Sequence, residues 1–158
     1  MAELRFKKHN FQAIAYNTIG CTVAYNHHYV IEDAPDKIRP APYGSDYRKA
    51  WGSVEVSIAN FPKPAEVRWK SLDGVGHAAV VDIGSIFADQ RVHHQVHASE
   101  IPEGWLRDDV VPDIYLEIDD RTINVYMLAH VATRKEQVPG NKYSAFRNDL
   151  IKVWSKTY

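Results

Sequence analysis

Two short segments near residue 120 constrain the fold of this chain most strongly. In both, apolar residues alternate with polar ones, and Asp119-Asp120-Arg121 lies between them. The alternating apolar residues are Ile114, Leu116, Ile118, Ile123, Val125 and Met127. A period of two is typical of a half-buried strand, and a short turn between two such strands indicates a β-hairpin. We expect an antiparallel hairpin whose other face is open to water and carries Tyr115, Glu117, Asn124 and Tyr126.

The same alternation recurs in the first half of the chain. Its apolar members are Phe11, Ala13 and Ala15; Cys21, Val23 and Tyr25; Val54, Val56 and Ile58; and Val67 and Trp69. Residues 78–83 form a denser apolar run that is suited to a central strand. We therefore predict a mainly β fold, either an antiparallel β-sandwich or a curved sheet.

The C-terminal segment shows a different spacing. After Pro139-Gly140, large apolar or aromatic residues recur every three or four positions. They are Tyr143, Phe146, Leu150 and Val153. Asn141 is a suitable N-cap, so the pattern predicts one C-terminal amphipathic helix that packs across the sheet. An α+β fold is the alternative to the mainly β prediction.

Composition limits the classes of partner. The 158 residues are 45% hydrophobic and 25% charged, which is typical of an ordered chain, and we expect one domain spanning 1–158. The net charge of -1 provides no general attraction to nucleic acid or to anionic lipid. No apolar stretch approaches the roughly 20 residues of a membrane span. The lone Cys21 forms no intrachain disulfide and is expected to be a small buried hydrophobic residue.

The N-terminal residues are relevant to localisation. Residues 1–16 include basic side chains but no apolar run of the kind found in a secretory signal. We expect the periplasm if an export leader has been removed from the natural protein, and the cytoplasm otherwise.

One glycine motif resembles a cofactor fingerprint. Gly74-Val75-Gly76-His77-Ala78-Ala79 matches the relaxed G-x-G-x-x-A pattern of dinucleotide-binding proteins. That pattern requires a helix after the glycines, whereas the residues that follow here favour a strand. Asp73-Gly74 is better explained as a hairpin turn, and we expect no cofactor.

A histidine cluster provides the main alternative to a binding function. His93, His94 and His97 lie close together in sequence, and two of them can share one face of a helix or a strand. Imidazole is a common metal ligand, although stable zinc sites use three or four ligands. The cluster predicts a metal-binding module or a metal-dependent enzyme, if the fold supplies the remaining ligands.

Two long segments without either period are candidate binding loops. Residues 100–113 contain Trp105 among acidic residues, and residues 31–50 contain several prolines and tyrosines. An exposed aromatic residue with an acidic rim is a common anchor for a basic protein partner, but Trp105 can equally fold back onto the core. The candidate partner-binding residues are Tyr43, Tyr47, Trp105, Arg107, Asp108 and Asp109.

The order of these segments resembles that of a known bacterial family. The residues that carry the resemblance are Tyr16-Asn17, 21–25, the proline-rich tyrosine loop, 54–58, Pro62, 67–69, 114–118, Val125-Tyr126 and 147–153. The family comprises small β-rich proteins, often lipoproteins, that are encoded beside type VI secretion lipase effectors. Its members commonly have an exported N-terminus and a cysteine pair, and this sequence shows neither.

The resemblance implies a function without catalysis. It implies an immunity protein that binds a cognate antibacterial toxin, such as a phospholipase, and blocks its active site. A metal-dependent module that uses His93, His94 and His97 is the alternative. A β carrier for a small ligand is a further alternative, which predicts an enclosed apolar cavity.

Overall fold

A computed structural model describes residues 3–103, 105 and 110–158. These residues form a mainly β structure with three short helical turns at Tyr47–Ala50, Ile83–Ile86 and Ala98–Glu100. The strands are β1 (Lys8–Tyr16), β2 (Thr18–Tyr25), β3 (His28–Glu32), β4 (Ile38–Arg39), β5 (Glu55–Ala59), β6 (Ala65–Ser71), β7 (Gly76–Val81), β8 (Asp113–Asp119), β9 (Thr122–Leu128), β10 (Val131–Ala132), β11 (Phe146–Arg147) and β12 (Leu150–Thr157).

The strands form two main sheets. The first sheet has the order β12-β9-β8-β1-β5, and the second has the order β3-β2-β6-β7 with β4 also paired to β2. Neighbouring strands are antiparallel except β1 and β8, which are parallel. β10 and β11 form a separate short pair. The mainly β, sandwich-like fold predicted from the alternation is confirmed.

The chain crosses from one sheet to the other within a single residue. β1 ends at Tyr16 and β2 begins at Thr18, while Asn17 between them has a φ of 53°. Asparagine tolerates this left-handed conformation better than most residues. Its side-chain amide also donates to Asp119 Oδ1 at 2.8 Å, which fixes the crossing point against β8.

The core lies between the two sheets and contains most of the predicted apolar rows. The buried residues from these rows are Phe11, Ala13, Ala15, Cys21, Val23, Tyr25, Val67, Trp69, Ile114, Leu116, Ile118, Ile123, Val125 and Met127. Cys21 is fully buried, and burial raises the pKa of its thiol to about 12. The thiol therefore stays neutral and packs as a small hydrophobic group, as expected.

The hairpin near residue 120 is confirmed, but its second face is not open to water. β8 and β9 pair in register, with Leu116 opposite Val125. The four residues predicted to face water are all buried: Tyr115, Glu117, Asn124 and Tyr126. This prediction was wrong because a distant segment, residues 47–51, packs against the outer face of the first sheet.

The strand predicted from Val54 to Ile58 is present as β5 (Glu55–Ala59), but the prediction that its apolar row is buried is wrong for a local reason. Val54 and Val56 are exposed, and only Ile58 is buried. Ser57 has a φ of 54°, and its amide donates to Asn10 Oδ1 at 3.0 Å. The backbone turns at Ser57, so the alternation does not continue through it.

The dense run at residues 78–83 does not form a central strand. β7 ends at Val81 and lies at the edge of the second sheet. Ile83 begins a helical turn whose first residues are capped by Asp82, since the Asp82 carboxylate accepts from Ser85 N at 3.1 Å.

The predicted C-terminal helix is also wrong. Leu150–Thr157 is β12, which pairs antiparallel with β9. The register shifts between Lys152 and Trp154, so Val153 is an extra residue in the strand. A bulge of this kind interrupts a period of two and accounts for the three-residue step from Leu150 to Val153. Phe146 belongs to β11, and Tyr143 precedes that strand, so the four residues of the pattern do not share one element.

The helical turns of the described residues have at most four residues each. None of them approaches the length or the apolar character of a membrane-crossing helix.

Candidate functional site

The segment that covers the first sheet is held by a buried carboxylate. Glu117 projects from β8 on the outer face of the sheet, and its side chain is completely buried. Around it lie side chains from the short helical turn and from β9. We call the following set the Glu117 cluster: Tyr47, Arg48, Trp51, Glu117, Asn124 and Tyr126.

Both carboxylate oxygens of Glu117 accept hydrogen bonds. Oε1 accepts from Arg48 Nη2 at 3.1 Å, from Asn124 Nδ2 at 3.0 Å and from the Tyr126 hydroxyl at 3.4 Å. Oε2 accepts from the Tyr47 hydroxyl at 3.1 Å. Four donors therefore surround the carboxylate, three of them at Oε1 and one at Oε2.

Aromatic rings surround the guanidinium of Arg48. The distance from its Cζ to the ring centroid is 4.5 Å for Tyr47, 5.3 Å for Tyr126 and 5.8 Å for Trp51. The Trp51 indole N–H donates to the Tyr16 hydroxyl at 2.9 Å. Ion pairing and cation–π contact therefore act on the same arginine, which makes the segment difficult to detach from the sheet.

The phenols of the cluster remain protonated donors. Burial and, after it, the negative charge of Glu117 raise the pKa of Tyr126 to about 12. The same two causes, in the same order, raise the pKa of Tyr47. At neutral pH both hydroxyls thus carry the hydrogen that they donate to Glu117.

The arrangement does not suit Glu117 for catalysis. A general base must be within reach of a substrate proton, and the Glu117 side chain is completely buried among four protein donors. The role of Glu117 is structural, because it anchors the segment that contains Tyr47 and Arg48.

The anchored segment continues backward into an exposed loop, residues 40–46, which we call the Tyr43 loop. At its other end Arg39 of β4 donates from Nε and Nη2 to the two carboxylate oxygens of Asp33 at 2.6 and 2.9 Å. The Tyr43 loop is therefore held at both ends. Between those ends the Tyr43 side chain is 98% exposed.

The structure separates the candidate partner-binding residues. Tyr43 is exposed, Tyr47 is half-buried in the Glu117 cluster, and Trp105 is half-buried against the core. Trp105 therefore folds back onto the core, which is the second of the two arrangements considered for it. Arg107, Asp108 and Asp109 lie outside the described residues.

The three clustered histidines have separate local contacts. The His93 ring meets Phe87 edge-on at 5.7 Å, His94 Nδ1 accepts from Val96 N, and His97 Nδ1 accepts from Ser99 N. Among the described residues, no group of three or more histidine, cysteine or acidic side chains is placed to hold a metal ion. The metal-dependent alternative thus gains no support from the part of the chain that the structure describes.

A serine and a histidine approach each other at the β6–β7 turn. Ser71 Oγ lies 2.9 Å from His77 Nε2, and Asp73 bonds to the same serine hydroxyl. In a catalytic triad the acid orients the histidine, whereas Asp73 bonds to the serine. Ser71 is also fully buried. The contacts stabilise the turn, in which Gly74 has a φ of 84°. The hairpin interpretation of the glycine motif is confirmed by β6 and β7.

Sequence reasoning did not identify Glu117, Arg48 or Trp51 as a site. A signal was nevertheless present, because the supposedly water-facing side of the hairpin carries Tyr115 and Tyr126 beside Glu117. Two aromatic residues on a face that also carries a carboxylate indicate that another segment covers it.

Comparisons with known proteins add no relative. Neither a family model, nor a curated protein, nor a solved structure matches this chain.

Proposed function

We propose that this chain is a protein-binding inhibitor, and specifically an immunity protein that binds and blocks a cognate antibacterial type VI secretion effector such as a phospholipase. The observation that carries the proposal is Tyr43, a 98% exposed aromatic residue on a loop held at both ends. The Glu117 cluster holds one end, and the ion pair between Arg39 and Asp33 holds the other.

The physical reason is preorganisation. A tyrosine offers a large contact area with only two side-chain torsions to order on binding. A loop that is already fixed loses less entropy when it docks, so more of its contact energy appears as affinity. The anchors at Arg39 and Glu117 fix the loop that carries Tyr43 before it docks. The chemistry of Glu117 and of Ser71 is used within the fold, which agrees with a role in binding rather than in catalysis.

The decisive test is binding to an effector encoded beside this chain's gene. The wild-type protein is expected to copurify with that effector and to protect cells in which both are expressed. Tyr43→Ala should weaken the affinity by about tenfold or more, as expected for an exposed aromatic hot spot. Tyr143→Ala is the matched control, because Tyr143 is 78% exposed on a different loop, and its affinity should not change.

Two results would count against the proposal. The inhibitor function fails if the wild-type protein neither binds the effector nor protects cells from it. The assignment of the interface fails if binding is intact and Tyr43→Ala behaves like Tyr143→Ala.

A further inference from the structure

The outer face of the second sheet carries a cleft of about 540 Å³ beside the turn between β2 and β3. Four of the residues that line it form one row across β3, β2, β6 and β7, and they are Tyr29, Ala24, Glu66 and Val80. Residues that lie opposite each other on neighbouring strands project to the same side of a sheet. The volume lies within the range of about 300 to 1,000 Å³ that is typical of ligand sites.

Local contacts fix the walls of the cleft. β2 turns into β3 through Asn26 and His27, whose φ angles of 54° and 71° are those of a tight hairpin turn with two left-handed residues. His28 donates from Nδ1 to Asn26 O at 3.0 Å, and its Nε2 pairs with Glu55 Oε1 at 2.9 Å. Another wall is formed by residues 62–64, in which two proline rings restrict the backbone. The shape of the cleft therefore does not depend on a ligand.

The row places an aromatic ring and a carboxylate on opposite sides of an alanine. Neighbouring strands are about 4.8 Å apart, so Tyr29 and Glu66 are anchored about 10 Å from each other. A cation interacts with an aromatic ring within about 6 Å of its centroid, and it pairs with a carboxylate oxygen at up to about 4 Å. These two distances add up to the span, and the small side chain of Ala24 leaves the space between the two groups open.

Both groups are accessible to a ligand. Tyr29 is 57% exposed, and Glu66 is exposed on β6. Within the part of the chain that the structure describes, Glu66 forms no ion pair, and neither a ring nor a cation stacks on Tyr29. The carboxylates of Asp33, Glu55 and Glu117, by contrast, are each paired with a cationic or histidine side chain of the fold.

We propose that this cleft binds an arginine side chain of a polypeptide partner, with the guanidinium between the Tyr29 ring and the Glu66 carboxylate. Arginine suits this pair of groups, because a guanidinium stacks on a ring through its face and donates to a carboxylate through its edge. The inference does not depend on the function proposed for the Tyr43 loop. The Arg39 anchor of that loop lies opposite Thr18, at the other end of β2.

One cation of the protein opposes the ligand. Lys63 lines the same cleft and is exposed. Arg68, the next outward residue of β6, lies in the adjacent row, which Glu32 shares through Thr22. The attraction for a single arginine side chain is therefore modest, with a dissociation constant on the order of 5 mM. The cleft is one contact within a larger polypeptide interface.

An NMR titration with a capped Gly-Gly-Arg-Gly-Gly peptide tests the ligand. The backbone amide signals of Ala24, Tyr29 and Glu66 should shift and saturate. A peptide with citrulline in place of arginine has nearly the same shape without the charge, and it should bind at least about fivefold more weakly. The proposal is overturned if the arginine peptide produces no saturable shift up to about 50 mM, or if the citrulline peptide binds equally well.

Variants of exposed residues test the site. Glu66→Gln and Tyr29→Leu should each weaken binding of the arginine peptide by about threefold, whereas Lys63→Gln should strengthen it by about twofold. Glu32→Gln is the matched control, because Glu32 is an exposed glutamate of β3 in the adjacent row, and it should bind like the wild type. A Glu66→Gln variant that binds the peptide as tightly as Glu32→Gln overturns the proposal.

Discussion

A histidine is completely buried at the start of the first sheet. His9 Nε2 lies 2.8 Å from the Tyr25 hydroxyl, and His9 Nδ1 lies 2.7 Å from Asn60 Oδ1. Asn60 in turn donates from Nδ2 to Phe6 O at 2.9 Å. Burial lowers the pKa of His9 below 6.5, and the hydrogen bond to Asn60 opposes part of that shift. The native structure thus accommodates the neutral imidazole.

The consequence is a loss of stability in mild acid. Above about pH 7 His9 is neutral in both the folded and the unfolded state, so it adds no pH dependence. Between pH 6.5 and its lower folded pKa, only the unfolded state takes up the proton, and the free energy of unfolding falls as the pH falls. Burial also lowers the pKa of the half-buried His93, which contributes in the same direction.

Urea unfolding at about pH 7.5 and pH 5 measures this effect. We expect His9→Asn to be less stable than the wild type at neutral pH but to lose less stability between the two pH values. His27→Asn is the control, since His27 is exposed at a position with a φ of 71° that asparagine tolerates. An unchanged pH dependence in His9→Asn would contradict the assignment.

Secondary-structure elements differ in how far the sequence determines them. The hairpin of β8 and β9 follows directly from local alternation, because its ladder is unbroken and its turn is short. β12 does not follow, because the extra residue Val153 disturbs the alternation. Ser57 has the same effect in β5. Bulges and positive φ angles depend on tertiary contacts such as the one from Asn10, so a local pattern cannot reveal them.

Because β12 is a strand, successive positions along it should tolerate proline to different degrees. Tyr158 N donates to Arg121 O at 2.8 Å, in register with the ladder between β12 and β9. Counting back by two, the Lys156 N–H points toward β9 and the Ser155 N–H points away from it. Lys156→Pro should therefore cost about 3 kcal/mol. Ser155→Pro should cost about 1 kcal/mol, mainly through its lost hydroxyl bond to Asn124.

Chemical denaturation of the two proline variants provides the measurement. A helix would lose about 3 kcal/mol at either of two adjacent interior positions, so equal costs would contradict the strand. Ser155→Ala separates the contribution of the hydroxyl from that of the backbone.

At the scale of the whole molecule, the Tyr43 loop connects the two sheets. One end is fixed beside the second sheet through Asp33 and Arg39, and the other is fixed to the outer face of the first sheet through Glu117. The aromatic and proline content of residues 31–50 was enough to mark a candidate loop. The anchor was not predictable, because Glu117 lies about 70 positions away from Arg48 and only the assembled sheets bring them together.

The two anchors should make different contributions to stability and to loop order. Glu117→Gln places an amide donor among four donors, so we expect a loss of about 2 to 4 kcal/mol in the free energy of unfolding. Arg39→Ala removes the two hydrogen bonds to Asp33, whose side chain is 4% exposed and retains Lys37 at 3.6 Å, and should cost about 1 to 2 kcal/mol. Both variants should nevertheless accelerate hydrogen exchange in residues 41–50, because each releases one end of the loop.

Glu32→Gln, an exposed change on β3, is the control for both measurements and should leave the stability and the exchange rates unchanged. If Arg39→Ala leaves exchange in this segment at the wild-type rate, the loop is held by the Glu117 cluster alone, and the preorganisation of Tyr43 depends on a single anchor.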